Sequence, residues 1–396
     1  MTLHELDQTY ILNTYKRLPL TITKAKGSYL YDRSGKKYLD MYAGIAVSSL
    51  GHSHKVILRA IKKQMKKHLH LSNYFVSEPV VTLAQSLVEH AFPSQVFFTN
   101  SGTEAIEASI KLVRKWGKAI DPEKQEMVAL HESFHGRTMG GLSLTGQPKY
   151  QHAFAPLLSG IKHIERNNIH ALRSAVSDKT CALYLEMIQG ESGIEPLHFE
   201  YIEEVIKLAQ RYNFLVVADE IQTGLMRTGK LFAYQHTRLI PDILTLAKSL
   251  GGGIPLGAML VGSHLKDVLK PGDHGSTFGG NPLACAMGLA SFHVLSSKDM
   301  TQKVEHASEY LFNELKVLQS KYDVILDIRG KGLMIGIDLG KHAQLIQAEA
   351  LKRGILLNLT HQTVIRLLPP LNIKEKELAL FLEVFEDILK LVQHNN

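Results

Sequence analysis

Between about residues 95 and 265, short apolar runs alternate with amphipathic stretches, and that rhythm constrains the fold more than any other feature of the chain. The runs Val96 to Thr99, Met127 to Leu130, Cys181 to Met187, Phe214 to Ala218, Ile243 to Ala247 and Ala258 to Val261 read as strands. Glu104 to Trp116 and Glu200 to Tyr212 read as helices between them. Strands that are apolar on both faces must be covered on both faces, so the pattern predicts a mainly parallel sheet layered with helices. In such a sheet the ligand sits outside the carboxyl ends of the strands. Candidate functional residues should therefore follow the apolar runs, not precede them.

The flanks read differently. Tyr29 to Tyr31 and Lys37 to Asp40 are short strands about the turn Asp32 to Gly35. Lys55 to His70 reads as a helix with Ile57, Leu58, Ile61, Met65 and Leu69 on one face and lysines on the other. Beyond residue 295, helices near Thr301 to Lys321 and Lys374 to Gln393 flank strands at Val324 to Ile328, Leu333 to Leu339 and Val364 to Leu367. The expected organisation is an N-terminal segment (1–50) packing with a small C-terminal α+β domain (296–396), around a large ligand-binding domain (51–295).

Composition narrows the class. A chain of 396 residues with 45% hydrophobic and 21% charged residues buries an ample core and is neither disordered nor fibrous. Lys and Arg number 45 against 38 Asp and Glu, a mild excess for this length. No aromatic residues interleave with the lysine stripe, so a nucleic-acid surface is not expected. No apolar run is long enough to cross a bilayer. The N-terminus shows no secretory pattern and the two cysteines, Cys181 and Cys285, read as buried thiols, so the expected compartment is the cytoplasm. No metal-ligand spacing is present.

Three constellations follow strands. Asn100-Ser-Gly-Thr-Glu-Ala opens a helix, where free N–H groups and the hydroxyls of Ser101 and Thr103 around Gly102 suit a phosphate; an ordinary Ser/Thr cap would look the same. Asp219 closes the run Phe214 to Ala218 and needs a cationic or hydrogen-bond partner if buried, though a capping Asp is the alternative. Lys248 follows Ile243 to Ala247 and precedes Gly251-Gly-Gly, which lets backbone approach a ligand closely. A desolvated lysine there can form a Schiff base; a surface lysine is the alternative. Together, a phosphate cradle, an acid and a lysine on successive strand ends are what pyridoxal 5′-phosphate requires.

From about Tyr15 to Leu391 the chain resembles the class III aminotransferases of fold type I. The resemblance rests on Gly51-His, Asn100-Ser-Gly-Thr-Glu-Ala, Phe134-His-Gly-Arg, Glu186-Met-Ile-Gln-Gly-Glu, Asp219-Glu-Ile-Gln-Thr-Gly, Arg227-Thr-Gly, Lys248, His274-Gly-Ser-Thr-Phe-Gly-Gly-Asn-Pro and Val364-Ile-Arg. It implies Lys248 as the cofactor-binding lysine and proton shuttle, and Asp219 as the partner of the pyridine nitrogen. It also implies Gln222 on the ring oxygen, Ser101, Gly102 and Thr103 in the phosphate cup, and Phe134 stacked on the ring. Thr277 would reach the phosphate of a neighbouring subunit, implying a homodimer with shared sites, with Ser276 beside it facing substrate. Arg137 and Arg366 would clamp carboxylates, and Glu191 would pair with Arg366 while the amino-group donor is bound and release it when glutamate binds.

The branch resembled acts on N-acetylornithine, so the implied reaction moves its δ-amino group to 2-oxoglutarate, giving N-acetylglutamate 5-semialdehyde and glutamate in arginine biosynthesis. Ile45 stands where ornithine aminotransferases carry a tyrosine on the free substrate carboxylate, and Ile offers no hydrogen bond. Met187 and Ser192 depart from the family's usual Pro and small residue. The competing readings are the same chemistry on succinylornithine, succinyldiaminopimelate, ornithine or 4-aminobutyrate, and a ligand-sensing regulator built on this fold.

Overall fold

The computed structural model describes residues 1–394. The N-terminal strands are β1 (Ile22–Lys26), β2 (Tyr29–Asp32) and β3 (Lys37–Asp40). The central sheet draws on β4 (Ser94–Thr99), β5 (Glu126–Leu130), β6 (Ile161–Ile164) and β7 (Thr180–Leu185). A small ribbon, β8 (Ile188–Gln189) and β9 (Glu195–Pro196), precedes the sheet's remaining members, β10 (Leu215–Asp219), β11 (Ile243–Leu246) and β12 (Gly257–Gly262). The last part of the chain adds β13 (Asp327–Lys331), β14 (Met334–Asp338), β15 (Ile355–Leu356), β16 (Asn358–Thr360) and β17 (Val364–Leu367).

The seven-stranded sheet runs β4-β12-β11-β10-β7-β5-β6. Only β12 opposes its neighbours; β11, β10, β7, β5 and β6 pair in parallel. Every residue of β7, β10 and β11 is buried, as strands covered on both faces must be. Helices Gly102–Ile120 and Phe199–Tyr212 lie where the sequence places them, each longer than its apolar pattern. Cys181 and Cys285 are both buried and free, and burial pushes each thiol up to about 12.

The chain's two ends meet. β15 pairs in parallel with β3, and β13, β14, β17 and β16 form an antiparallel sheet carrying Arg366. Two expectations need correction, and one strand went unforeseen. The helix from Lys55 stops at Met65, and Leu58, Met65 and Leu69 are exposed whereas Gln64 is buried, so the apolar face is narrower than its periodicity suggests. The strand expected at Val324 to Ile328 begins at Asp327; Val324 and Ile325 are buried ahead of it. β6 reads Ile-Lys-His-Ile, too short and polar to stand out, and its place at the sheet edge explains why such a sequence suffices.

Candidate active site

Five parallel strands deliver their carboxyl ends to one cavity of about 450 Å³. Asn100 to Thr103 follow β4, Phe134 to Arg137 lie beyond β5, and Glu186 follows β7. Asp219 ends β10, with Ile221 and Gln222 just past it, and Lys248 follows β11. Val47 of the N-terminal segment and Gly253 to Leu256 complete the lining.

At the helix Gly102–Ile120, Ser101 is the N-cap and its Oγ accepts from the Glu104 N–H at 3.3 Å. The capping interpretation of that hydroxyl is therefore right, and the first helical N–H groups, on Gly102 and Thr103, have no acceptor within the helix. A Cβ at Gly102 would come within 2.6 Å of Ile221 Cδ1, so glycine there lets the turn close on the ligand cavity. Gly136 has φ +129° and would drive a Cβ into Thr103, whose hydroxyl meets that of Thr138 at 2.8 Å. This cradle is suited to a phosphate.

Asp219 is 4% exposed, and its Oδ2 lies 2.8 Å from His135 Nδ1. Its Oδ1 accepts from the Ile221 N–H at 3.1 Å and the Thr245 hydroxyl at 3.3 Å. Burial drives His135 towards neutrality, but the hydrogen bond and charge of Asp219 outweigh it and hold the imidazole above its ordinary value. Lys248 adopts φ 44° and has no hydrogen-bond or ion-pair partner among the described residues. Burial lowers its pKa, with Glu191 opposing and Arg366 reinforcing the fall. A lysine so placed is nearer the free amine a Schiff base needs.

The carboxylate side is built on β17. Arg366 is 1% exposed and its Nη1 pairs with Glu191 Oε1 at 2.6 Å. Gln222 bridges the pair, donating to Glu191 Oε1 at 3.3 Å and accepting from Arg366 Nη1 at 3.1 Å. Burial raises Glu191, yet the Arg366 charge more than offsets it and keeps the carboxyl below its ordinary range. Arg137 lines the cavity with its guanidinium 3.9 Å from the Tyr150 ring centre and 5.4 Å from that of Phe134, and has no carboxylate partner among the described residues.

Two expected residues lie apart. Thr277 faces a separate depression with His70, Tyr74 and Phe97, not the cavity holding Lys248. Ser276 shares that depression, although its Oγ accepts from Asn100 at 3.1 Å. Ile45 does not line the cavity; it packs on Ile188, Ile194, Met334 and Leu368 around the hairpin bearing Glu191. Met187 and Ser192 are buried away from the lining.

Ile45 sits in a turn whose four residues, Ala43 to Ala46, all have φ between 48° and 63°. Left-handed backbone costs a non-glycine residue roughly 1–2 kcal/mol. The turn is pinned at both ends: Asp40 Oδ1 accepts from Tyr42 and Ala43 N–H at 3.1 and 2.9 Å, and Ser249 Oγ donates to the Ala46 carbonyl at 2.6 Å. Ser249 also meets Ser49 at 2.5 Å, and Ser49 accepts from the buried Arg227 at 3.1 Å.

Residues 10–389 match the family model for class-III aminotransferases. The chain is a class III aminotransferase. Among curated relatives, the acetylornithine aminotransferase of Caldanaerobacter subterraneus subsp. tengcongensis is 44% identical over 385 residues, 97% of this chain and 98% of the relative. The solved ornithine aminotransferase of Toxoplasma gondii ME49 superposes with a TM-score of 0.95 at 31% identity, covering 100% of this chain and 96% of that one. The N-acetylornithine aminotransferase of Stenotrophomonas maltophilia K279a gives 0.86 at 32% identity, over 99% and 100%. The fold is thus the type I α/β architecture of this family, whose cofactor is pyridoxal 5′-phosphate.

The residues present fit that cofactor. The cradle at Gly102, Thr103 and Gly136 suits its phosphate, buried Asp219 a protonated pyridine nitrogen, and unpaired Lys248 its aldehyde. Sequence reasoning overlooked His135, Glu186 and Asn358. His135 and Glu186 stood inside quoted motifs, but nothing in the sequence tied His135 to Asp219, 84 residues further on. Asn358 was findable only through hairpin register, since it lies opposite Arg366 across β16 and β17.

Proposed function

We propose that this enzyme transfers the δ-amino group of N-acetylornithine to 2-oxoglutarate, giving N-acetylglutamate 5-semialdehyde and glutamate, the transamination step of arginine biosynthesis. The observation that carries the reading is the Arg366–Glu191 ion pair at 2.6 Å beside an unpaired Lys248. Bound pyridoxal phosphate supplies an electron sink that stabilises negative charge on the substrate carbon. Lys248 Nζ would hold it through its aldehyde and, as a free amine, would move the proton released at the substrate carbon. Asp219, itself held by His135, would keep the pyridine nitrogen protonated. Phe134 and Ile221 bound the cavity that the planar ring would occupy.

During the first half-reaction Glu191 neutralises Arg366, so the pocket accepts a donor whose reacting end carries no carboxylate, while Arg137 takes the donor's distal carboxylate. In the second, Glu191 withdraws and Arg366 receives a carboxylate of 2-oxoglutarate. Ile45 packs beside the Glu191 hairpin, outside the cavity lining, and has no polar group that could reach in to a free ornithine carboxylate, which favours the N-acylated donor.

The reading includes a homodimer. Thr277 lies beside exposed Phe278 and near Tyr74, which is 94% exposed, a large apolar surface for a second copy to cover and a route for Thr277 to the partner's phosphate. It also includes a large domain over 51–295 with both chain ends forming the smaller one, and action in the cytoplasm. No described helix is long and apolar enough to cross a membrane.

The test is a half-reaction spectrum without keto acid. Loss of the cofactor's visible band at the lowest concentration of N-acetylornithine, reversed by 2-oxoglutarate, is the expected result. A response to ornithine or 4-aminobutyrate at lower concentration overturns the substrate assignment.

A further inference from the structure

Both ends of the Arg366 guanidinium are engaged, and the partners differ in charge. Asn358 stands directly opposite Arg366 across the β16–β17 ladder, so the two side chains leave the same face of the sheet. Asn358 Oδ1 accepts from Nε at 2.9 Å and from Nη2 at 2.6 Å. Because a guanidinium only donates, the amide oxygen and not the nitrogen must face it. On the other side, Nη1 donates to the Gly190 carbonyl at 3.0 Å, to Gln222 and to Glu191. A dicarboxylate entering this pocket must therefore displace one set of partners.

We infer that Asn358 is a positioning residue that makes the keto-acid half-reaction selective: it fixes the Arg366 fork through a neutral acceptor and leaves the positive charge for the substrate carboxylate that replaces Glu191. The inference rests on the reading of Arg366 as the carboxylate clamp. Glu191 is the partner free to leave. Its side chain is 27% exposed, against 2% for that of Arg366. Its carbonyl is held by the Thr360 hydroxyl at 2.8 Å, so only the side chain needs to swing. Asn358 and Thr360 both belong to β16, so one strand orients the arginine and anchors its movable counter-ion. An aspartate at position 358 would keep the acceptor geometry but neutralise Arg366 permanently. A leucine would leave the charge but strip Nε and Nη2 of their acceptor in a buried place.

The probe is glutarate, a dicarboxylate with no keto or amino group, titrated calorimetrically into the cofactor-loaded enzyme. Cofactor absorption and thermal melting verify that each variant is folded. Asn358→Asp is expected to weaken glutarate about 100-fold through like-charge repulsion, and Asn358→Leu about tenfold through a disordered fork. For both variants the KM for 2-oxoglutarate should rise, while that for N-acetylornithine stays within about twofold, since Glu191 already neutralises Arg366 when the donor binds. Glutarate affinity unchanged in Asn358→Asp, or a parallel rise in both KM values, overturns the inference. Arg366→Met separates it from its premise. If glutarate still binds to that variant, the clamp reading itself is wrong; if glutarate binding is lost there but intact in Asn358→Asp, only the role of Asn358 falls.

Discussion

His135 Nδ1 and Asp219 Oδ2 meet at 2.8 Å with the two side chains 0% and 3% exposed, so each removes from the other the cost of standing in a low-dielectric interior. The imidazole's folded pKa is raised above the ordinary 6.5. Its contribution is therefore complete below pH 6.5 and is lost as pH rises through the raised value. His135→Leu should destabilise the cofactor-free protein by about 3 kcal/mol at pH 6, and by less as the medium becomes alkaline. The same variant should bind pyridoxal phosphate about 10- to 100-fold more weakly. Urea unfolding at a series of pH values and a spectroscopic cofactor titration check both. A destabilisation independent of pH would show the pair to be ordinary packing.

Glu186 supplies the opposite kind of buried group, an acid with no ion-pair partner among the described residues. Burial is the largest influence and raises its carboxyl to about 7. Stability linked to it is present below the ordinary 4.5 and lost as pH rises through about 7. Glu186→Gln keeps an acceptor for the Phe134 N–H, which now reaches Oε2 at 3.1 Å. The cofactor-free variant should gain on the order of 2–3 kcal/mol over the wild type at pH 8 and little at pH 5. Thermal melting at the two pH values decides it; a gain of equal size at both excludes ionisation as the cause.

Ile45 holds its left-handed conformation on a turn fastened by Asp40 and Ser249, so its place beside the Glu191 hairpin is set by the backbone whatever the side chain. Ile45→Tyr should raise kcat/KM for free ornithine about tenfold and lower that for N-acetylornithine, as expected when a hydroxyl reaches a carboxylate. Steady-state kinetics with the two donors measure the ratio. An unchanged ratio would remove Ile45 from the account of specificity.

Arg227 is fully buried with no carboxylate beside it among the described residues; its guanidinium donates to the Leu333 and Pro369 carbonyls at 3.1 and 2.7 Å and to Ser49. Burial lowers its pKa to about 9, which still leaves it charged at neutral pH. Arg227→Met should cost about 2–4 kcal/mol by leaving buried acceptors unpaired. Chemical denaturation measures this, and a variant as stable as the wild type would mean that the arginine's own desolvation cancels its bonds.

The central sheet was legible because β7, β10 and β11 are buried on both faces, which forces continuous apolar runs followed abruptly by Asp219 or Lys248. The lysine-rich helix was misread because amphipathic period alone cannot tell a face that packs on its own chain from one left outside. Leu58 and Met65 share the period of Ile57 but not its burial. Asn358 and His135 escaped notice for another reason. Their importance lies in a partner on a facing strand or a distant loop, and spacing along one chain carries no sign of such a pairing.

The fastening of the Ala43–Ala46 turn has a consequence for how the molecule is made. Ser249 lies 203 residues beyond the carbonyl it secures, and Ser49 is tied through Arg227 to carbonyls at Leu333 and Pro369. A ribosome that has released every strand of the central sheet has still not supplied β15, which closes β3, or β17, which carries Arg366. The pocket around Lys248 is therefore completed by the last strands of the chain, and its burial depends on their arrival.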